Sequence, residues 1–79
     1  MKLKILYFAS LRDASGCDHE AYEAVTGDAR EIYARLRDRH GFALAHDRIR
    51  LAVNGEFADW GRLLADGDEV AFLPPVSGG

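Results

Sequence analysis

Seventy-nine residues, 48% of them hydrophobic and 29% charged, suffice for one folded domain around a small core, because a chain of this size removes only a little more than ~60% of its unfolded surface from water. A net charge of −3 without any cluster of Lys and Arg argues against a nucleic-acid partner, whose phosphates are held by such clusters. No apolar run approaches the ~18 residues that span a bilayer, and Met1-Lys2-Leu3-Lys4 begins neither a signal-peptide apolar region nor a cleavage site, so a cytoplasmic protein without membrane contact is expected.

Lys2 to Phe8 alternates with the period of a strand, with Leu3, Ile5 and Tyr7 on one face and Lys2, Lys4, Leu6 and Phe8 on the other. Ser10 to Ala14 is expected to form a short helix capped by Ser10 and ended by Ser15-Gly16, before an extended piece from Ala21 to Val25 that returns beside the first strand as a wide hairpin. Asp28 opens the main helix: its carboxylate meets the first free N–H groups, and Glu31, three residues on, completes a capping box. Gly41 closes it. Ala29, Ile32, Tyr33 and Leu36 form one stripe, with Arg30, Arg35, Arg37, Asp38 and Arg39 largely outside, so one helix face is made to lie on a sheet. Ile49, Leu51 and Val53 alternate with Arg50 and Ala52, Asn54-Gly55 supplies a tight hairpin turn, and Glu56-Phe57 starts the return strand. Beyond the turn at Asp66-Gly67-Asp68, Glu69 to Leu73 is the last strand and runs straight into Pro74-Pro75. One long helix amid this strand order predicts an α+β domain of the β-grasp type over residues 1–79, a mixed sheet wrapped on the helix with 74–79 as a flexible, extended tail. A ferredoxin-like plait would need two comparable helices.

The tail carries the chemistry. Pro74 and Pro75 fix φ near about −65° and donate no ladder hydrogen bonds, so they end the strand and launch Val76, Ser77, Gly78 and Gly79 away from the body. Glycines have no Cβ and pass through slots that other residues would block. A terminal α-carboxyl, with a pKa of about 3.3–3.7, is a carboxylate and a poor electrophile at neutral pH. A reactive Gly79 therefore needs activation from outside, by a nucleoside triphosphate held on another protein. Terminal glycines are often no more than frayed ends, but a frayed end has no use for a diproline launcher.

Elsewhere the sequence offers little for catalysis. The single Cys17 rules out an internal disulfide and reads as a bystander in a loop. Asp13, Asp18, Glu20 and the three histidines show no spacing of a catalytic pair or metal site. His40 suits the last turn of the helix, while His19 and His46 are expected in loops. No metal, no directly bound cofactor and no catalysis by the chain alone are expected.

The run Gly67-Asp68-Glu69-Val70-Ala71-Phe72-Leu73-Pro74-Pro75-Val76-Ser77-Gly78-Gly79 resembles the C-terminal signature of the small, sulfur-carrying subunits of molybdopterin synthase. Tyr7-Phe8-Ala9 followed by Leu11-Arg12, and Val53-Asn54-Gly55 before a short strand, extend the resemblance over nearly the whole chain. It implies that an adenylyltransferase related to ubiquitin-activating enzymes uses ATP to adenylate Gly79, and that a sulfur source turns the acyl-adenylate into a thiocarboxylate. The loaded tail, Pro74 to Gly79, then threads into the large synthase subunit and gives sulfur to cyclic pyranopterin monophosphate to build the molybdopterin dithiolene, within a heterotetramer holding both subunits in pairs. The same electrophile serves carriers for thiamine or tRNA thiolation and ubiquitin-like modifiers of lysines, and a non-reactive β-grasp interaction domain is a further alternative. Pro74-Pro75-Val76 favours molybdopterin.

Alternation also assigns faces. If Leu3, Ile5 and Tyr7 meet the helix, Leu6 and Phe8 point outward, and in the last strand Val70 and Phe72 go in while Leu73 goes out. Phe57 joins this outer set and Arg12 borders it, an apolar patch of the kind that marks a protein interface. Phe8, Arg12, Phe57 and Leu73 are therefore the expected partner-binding residues. The competing reading has a loop with Trp60 cover this face.

Overall fold

The computed structural model of the protein describes residues 1–75. The chain runs β1 (Lys2–Tyr7), α1 (Ala9–Ser15), β2 (His19–Glu23), α2 (Ala29–His40), a 3-10 turn (His46–Arg48), β3 (Arg50–Val53), β4 (Glu56–Ala58) and β5 (Glu69–Leu73). The five strands form one sheet in the order β2-β1-β5-β3-β4. β5 lies parallel to β1 and antiparallel to β3, while β2 and β4 are antiparallel outer strands. This mixed sheet on one long helix is the expected β-grasp arrangement, and a plait with paired helices does not fit it.

Local chemistry explains most of the elements. Asp28 caps α2 by accepting from the Arg30 N–H at 2.9 Å, and Gly41 ends it in the left-handed region at φ 74°, where a residue with a Cβ would be strained. Asn54 and Gly55, at φ 52° and 85°, make the tight β3–β4 turn with the twist that hairpins need. The capping box is not completed, because Glu31 turns to Arg35, 3.2 Å away and one helical turn on, an exposed pair worth only ~0.3–0.5 kcal/mol.

Two boundaries differ from the sequence reading. α1 begins at Ala9 with Phe8 as its cap and no side-chain capping bond; the Phe8 carbonyl already accepts from Leu11 and Arg12, so Ser10 lies inside the helix rather than capping it. Ala9 makes the corner at φ 50°, a left-handed turn that costs a non-glycine residue about 1 kcal/mol or more. β2 starts at His19 rather than Ala21, because the ladder with β1 opens where Tyr7 N–H donates to the Asp18 carbonyl and closes where Ala24 N–H donates to Met1. Val25 lies past that closure, 89% exposed.

One face of the sheet carries the core. Leu3, Ile5, Tyr7, Leu51, Val53, Val70 and Phe72 meet Ala29, Ile32, Tyr33 and Leu36 of α2, all buried, at roughly 1.5–3 kcal/mol for each large side chain. Trp60 packs on this same side: its indole stacks on Phe72 with centroids 5.8 Å apart, and its Nε1–H donates to the Ile49 carbonyl at 3.0 Å. The reading in which Trp60 covers the opposite face is thus overturned, since the indole needs both an apolar bed and a hydrogen-bond acceptor and finds them under the helix. His46, expected in a loop, sits in the 3-10 turn with its ring edge-on to Trp60.

At the end of α2 a polar cluster closes the core. Tyr7 Oη donates to Glu20 Oε2 at 2.6 Å, His40 Nε2 lies 2.7 Å from the same oxygen, and Arg39 Nη1 is 3.4 Å from Oε1. Burial pushes the Glu20 carboxyl up, but the bonds from Tyr7 and His40 and the neighbouring positive charges outweigh it and hold it below the ordinary carboxylate range. The same burial, with Glu20 as acceptor, pushes the Tyr7 phenol well above its usual value. His40 therefore does more than suit a helix end, while His19, expected in a loop, is the exposed first residue of β2.

These contacts set two expectations. A Cβ at Gly27 would sit 2.9 Å from the Leu64 carbonyl oxygen, so Gly27→Ala should cost ~1–3 kcal/mol by overpacking, whereas Gly61→Ala, with open space around it, should stay within ~0.5 kcal/mol. Thermal unfolding of the two variants checks this. For Glu20 the folded pKa lies below the unfolded one, so its contribution is present above about pH 4.3 and is lost as pH falls. In urea titrations Glu20→Gln should therefore be less stable than the parent at pH 7, and the gap should narrow toward pH 3; a gap independent of pH would refute it.

Candidate functional site

The sheet face turned away from α2 is built in cross-strand rows. Register places Phe57 beside Ala52, Ala52 beside Ala71 and Ala71 beside Leu6. Toward the end where the chain leaves the sheet, Arg50 pairs with Leu73, and Phe8 follows Tyr7, the partner of Phe72. In the opposite direction Glu69 pairs with Lys4, and their charges meet at 4.0 Å. Two alanines in the middle with large side chains on either side make a hollow rather than a flat face, because strand spacing is fixed and only side-chain length varies.

That hollow, of roughly 260 Å3, is lined by Leu6, Phe8, Ala52, Gly55, Phe57, Glu69, Ala71 and Leu73. Phe8 is 43% exposed and Phe57 64%, so the walls stand in water at a cost that a partner surface would remove. Arg50 lies over Phe57 with its Cζ 4.0 Å from the ring centroid, a cation–π contact at the rim. Pro74, half-buried, and Pro75, exposed, leave β5 directly beside Leu73, and neither extends the ladder.

Three of the four expected partner-binding residues, Phe8, Phe57 and Leu73, thus come together. Arg12 does not line the hollow; it is exposed on α1, which turns away from the strand at Ala9. The tail residues Val76, Ser77, Gly78 and Gly79 lie outside the described residues. Ala52, Ala71 and Gly55 do not stand out in the sequence, since small residues add nothing to an apolar pattern; for the two alanines the signal is their place in the alternation, opposite in phase to Leu51, Val53, Val70 and Phe72, while Gly55 belongs to the turn. The sequence pattern places Arg50 only among the residues that alternate with Ile49, Leu51 and Val53.

The polar groups elsewhere make no second centre. The Tyr7–Glu20–His40 cluster is on the α2 side of the sheet, and Cys17 Sγ rests 3.7 Å from Ser15 Oγ. Among the described residues no group of three or more His, Cys, Asp or Glu is placed to hold a metal, and no helix is long and apolar enough to cross a membrane. The outer face is an apolar hollow with the strand end at Leu73, followed by Pro74 and Pro75, at its edge.

Known proteins resemble this chain in sequence and fold. The chain is 40% identical to the molybdopterin synthase sulfur carrier subunit of Escherichia coli K12, over 98% of this chain and 99% of that protein. Its fold is similar to that of small archaeal modifier protein 1 from Haloferax volcanii, with a TM-score of 0.81, 28% identity and full coverage of both chains. It is also similar to a chain in the complex of subunits 1 and 2 of the molybdopterin-converting factor from Helicobacter pylori, with a TM-score of 0.71, 26% identity and full coverage of both chains. The ThiS family profile matches from Ile5 through Gly79, and with that span and the shared β-grasp sheet the chain belongs to the ThiS family.

Proposed function

We propose that this chain is the sulfur carrier subunit of a molybdopterin synthase and acts as a carrier rather than as an enzyme on its own. The observation that carries the reading is the hollow lined by Phe8, Phe57 and Leu73, placed beside the strand end from which the tail departs. Kinship over nearly the full length with a sulfur carrier subunit, and a likeness to a subunit solved in complex with its partner, support the same conclusion. The outer face docks on the large synthase subunit, and Pro74-Pro75 aim Val76, Ser77, Gly78 and Gly79 into its active site.

Gly79 is the working group. A ubiquitin-activating-enzyme-like adenylyltransferase joins its carboxylate to the AMP part of ATP with release of pyrophosphate, and a sulfide-level sulfur nucleophile then displaces AMP. The resulting thiocarboxylate donates sulfur to cyclic pyranopterin monophosphate on the large subunit, Gly79 returning to a carboxylate by taking up water. Adenylation is needed because a carboxylate resists attack until one oxygen becomes part of a good leaving group. The nucleotide belongs to the activating partner, and the work is cytoplasmic. A second reading, attachment of the chain to lysines as a protein modifier, is favoured by the likeness to small archaeal modifier protein 1; in it the same acyl group passes to an amine instead of gaining sulfur.

Incubation with the adenylyltransferase, ATP and a sulfur source should replace one oxygen by one sulfur at Gly79, read from intact-mass and C-terminal fragment spectra. Sulfur found only on Cys17, or isopeptide conjugates without thiocarboxylate, would sink the carrier reading. For the docking face, Phe57→Ala and Leu73→Ala should each weaken binding to the large subunit by ~30-fold, as a truncated interface anchor costs ~2 kcal/mol or more. Phe57→Ala should leave thermal stability nearly unchanged, since its ring is 64% exposed. Calorimetric titration of variants shown to be folded checks both.

A further inference from the structure

The two ends of the outer face handle charge differently. At one end Lys4 Nζ and Glu69 Oε2 neutralise each other at 4.0 Å. At the other, Arg50 has no acidic partner: among the described residues its guanidinium makes no ion pair, and its neighbours are the Phe57 ring at 4.0 Å and Leu73 across the ladder. An arginine on an aromatic ring is held in place, loses little side-chain entropy on binding and keeps its donors turned outward. It stands at the rim of the hollow, beside the residue that precedes the diproline.

Covering this face removes water from the guanidinium. A charge desolvated without a partner is costly enough to cancel much of what Phe57 and Leu73 contribute, whereas a carboxylate facing it turns that cost into a paired, orienting contact. We infer that Arg50 is a specificity-determining residue of the docking face, and that the large subunit presents an Asp or Glu carboxylate to it. This rests on the docking reading proposed above and adds to it the polarity of the partner's rim. Lys4 and Glu69 fix nothing comparable, being already paired, so the contact at Arg50 also sets which way round the partner lies relative to the tail.

Binding of the full-length chain to the large subunit, measured by calorimetry at low and high salt, tests the inference. Arg50→Leu keeps an apolar side chain at the position but leaves the partner's carboxylate unpaired, so it should weaken binding by ~10-fold or more, and Arg50→Glu by ~100-fold or more. The parent should lose affinity as salt rises, and Arg50→Leu should do so less steeply. A lysine replacing one Asp or Glu of the large subunit should restore binding to Arg50→Glu. Equal or tighter binding by Arg50→Leu with the parent's salt dependence, or failure of every such lysine to restore Arg50→Glu, overturns the inference while docking itself stands. If the parent chain does not bind the large subunit, the docking reading is what fails.

Discussion

One helix cannot cover both faces of a five-stranded sheet, and the organisation of this protein follows from that. A helix is about 10 Å across, while the outermost strands of such a sheet lie ~19 Å apart, so α2 with the Trp60 and Phe42 loops is just enough to close one side. Among the described residues the other side receives no element of its own. Its composition is adapted to this: exposed Lys4 and half-buried Glu69 at one end, Arg50 at the other, and apolar side chains confined to the middle and to the tail end. The outer face is thus the remainder of a small fold, apolar only in its middle and toward the tail end.

The hollow in that face arises from what β3 and β5 do on the other side. Leu51, Val53, Val70 and Phe72 fill the core, and the residues between them are alanines, paired at Ala52 and Ala71. Large residues there would have given a flat or convex apolar surface, more liable to edge-free self-association than to a shaped fit. Small central residues between tall neighbours leave a recess, and Phe57 and Phe8 provide its walls.

Much of this was legible in the sequence because period-two alternation states which residues share a face without knowledge of the neighbours. Leu3, Ile5 and Tyr7 against Leu6 and Phe8, and Val70 and Phe72 against Leu73, needed only the pleat. The helix stripe and the glycine at its end were equally local. What could not be read depends on partners distant in sequence. Glu20 reads in the sequence as one more acid ahead of the second strand, and only the β1–β2 register and the packing of His40 and Arg39 beside it bring it to the Tyr7 hydroxyl. Trp60 lies in a stretch with no periodicity, so its side of the sheet is decided by the Ile49 carbonyl and the Phe72 ring. Ser10 had the right chemistry for a cap, but the sharp corner at Ala9 moved the helix start beyond its use, and the β2 boundary came from the register with β1.

The placement of β5 has a mechanical consequence. The chain leaves the sheet from a central strand, laddered to β1 on one side and to β3 on the other. A pull along the axis of that strand therefore loads both ladders in shear, with many hydrogen bonds sharing the force at once, instead of peeling an outer strand away one bond at a time. Had the tail followed β4, whose ladder holds three residue pairs on one side only, the same pull would have unzipped the domain from its edge.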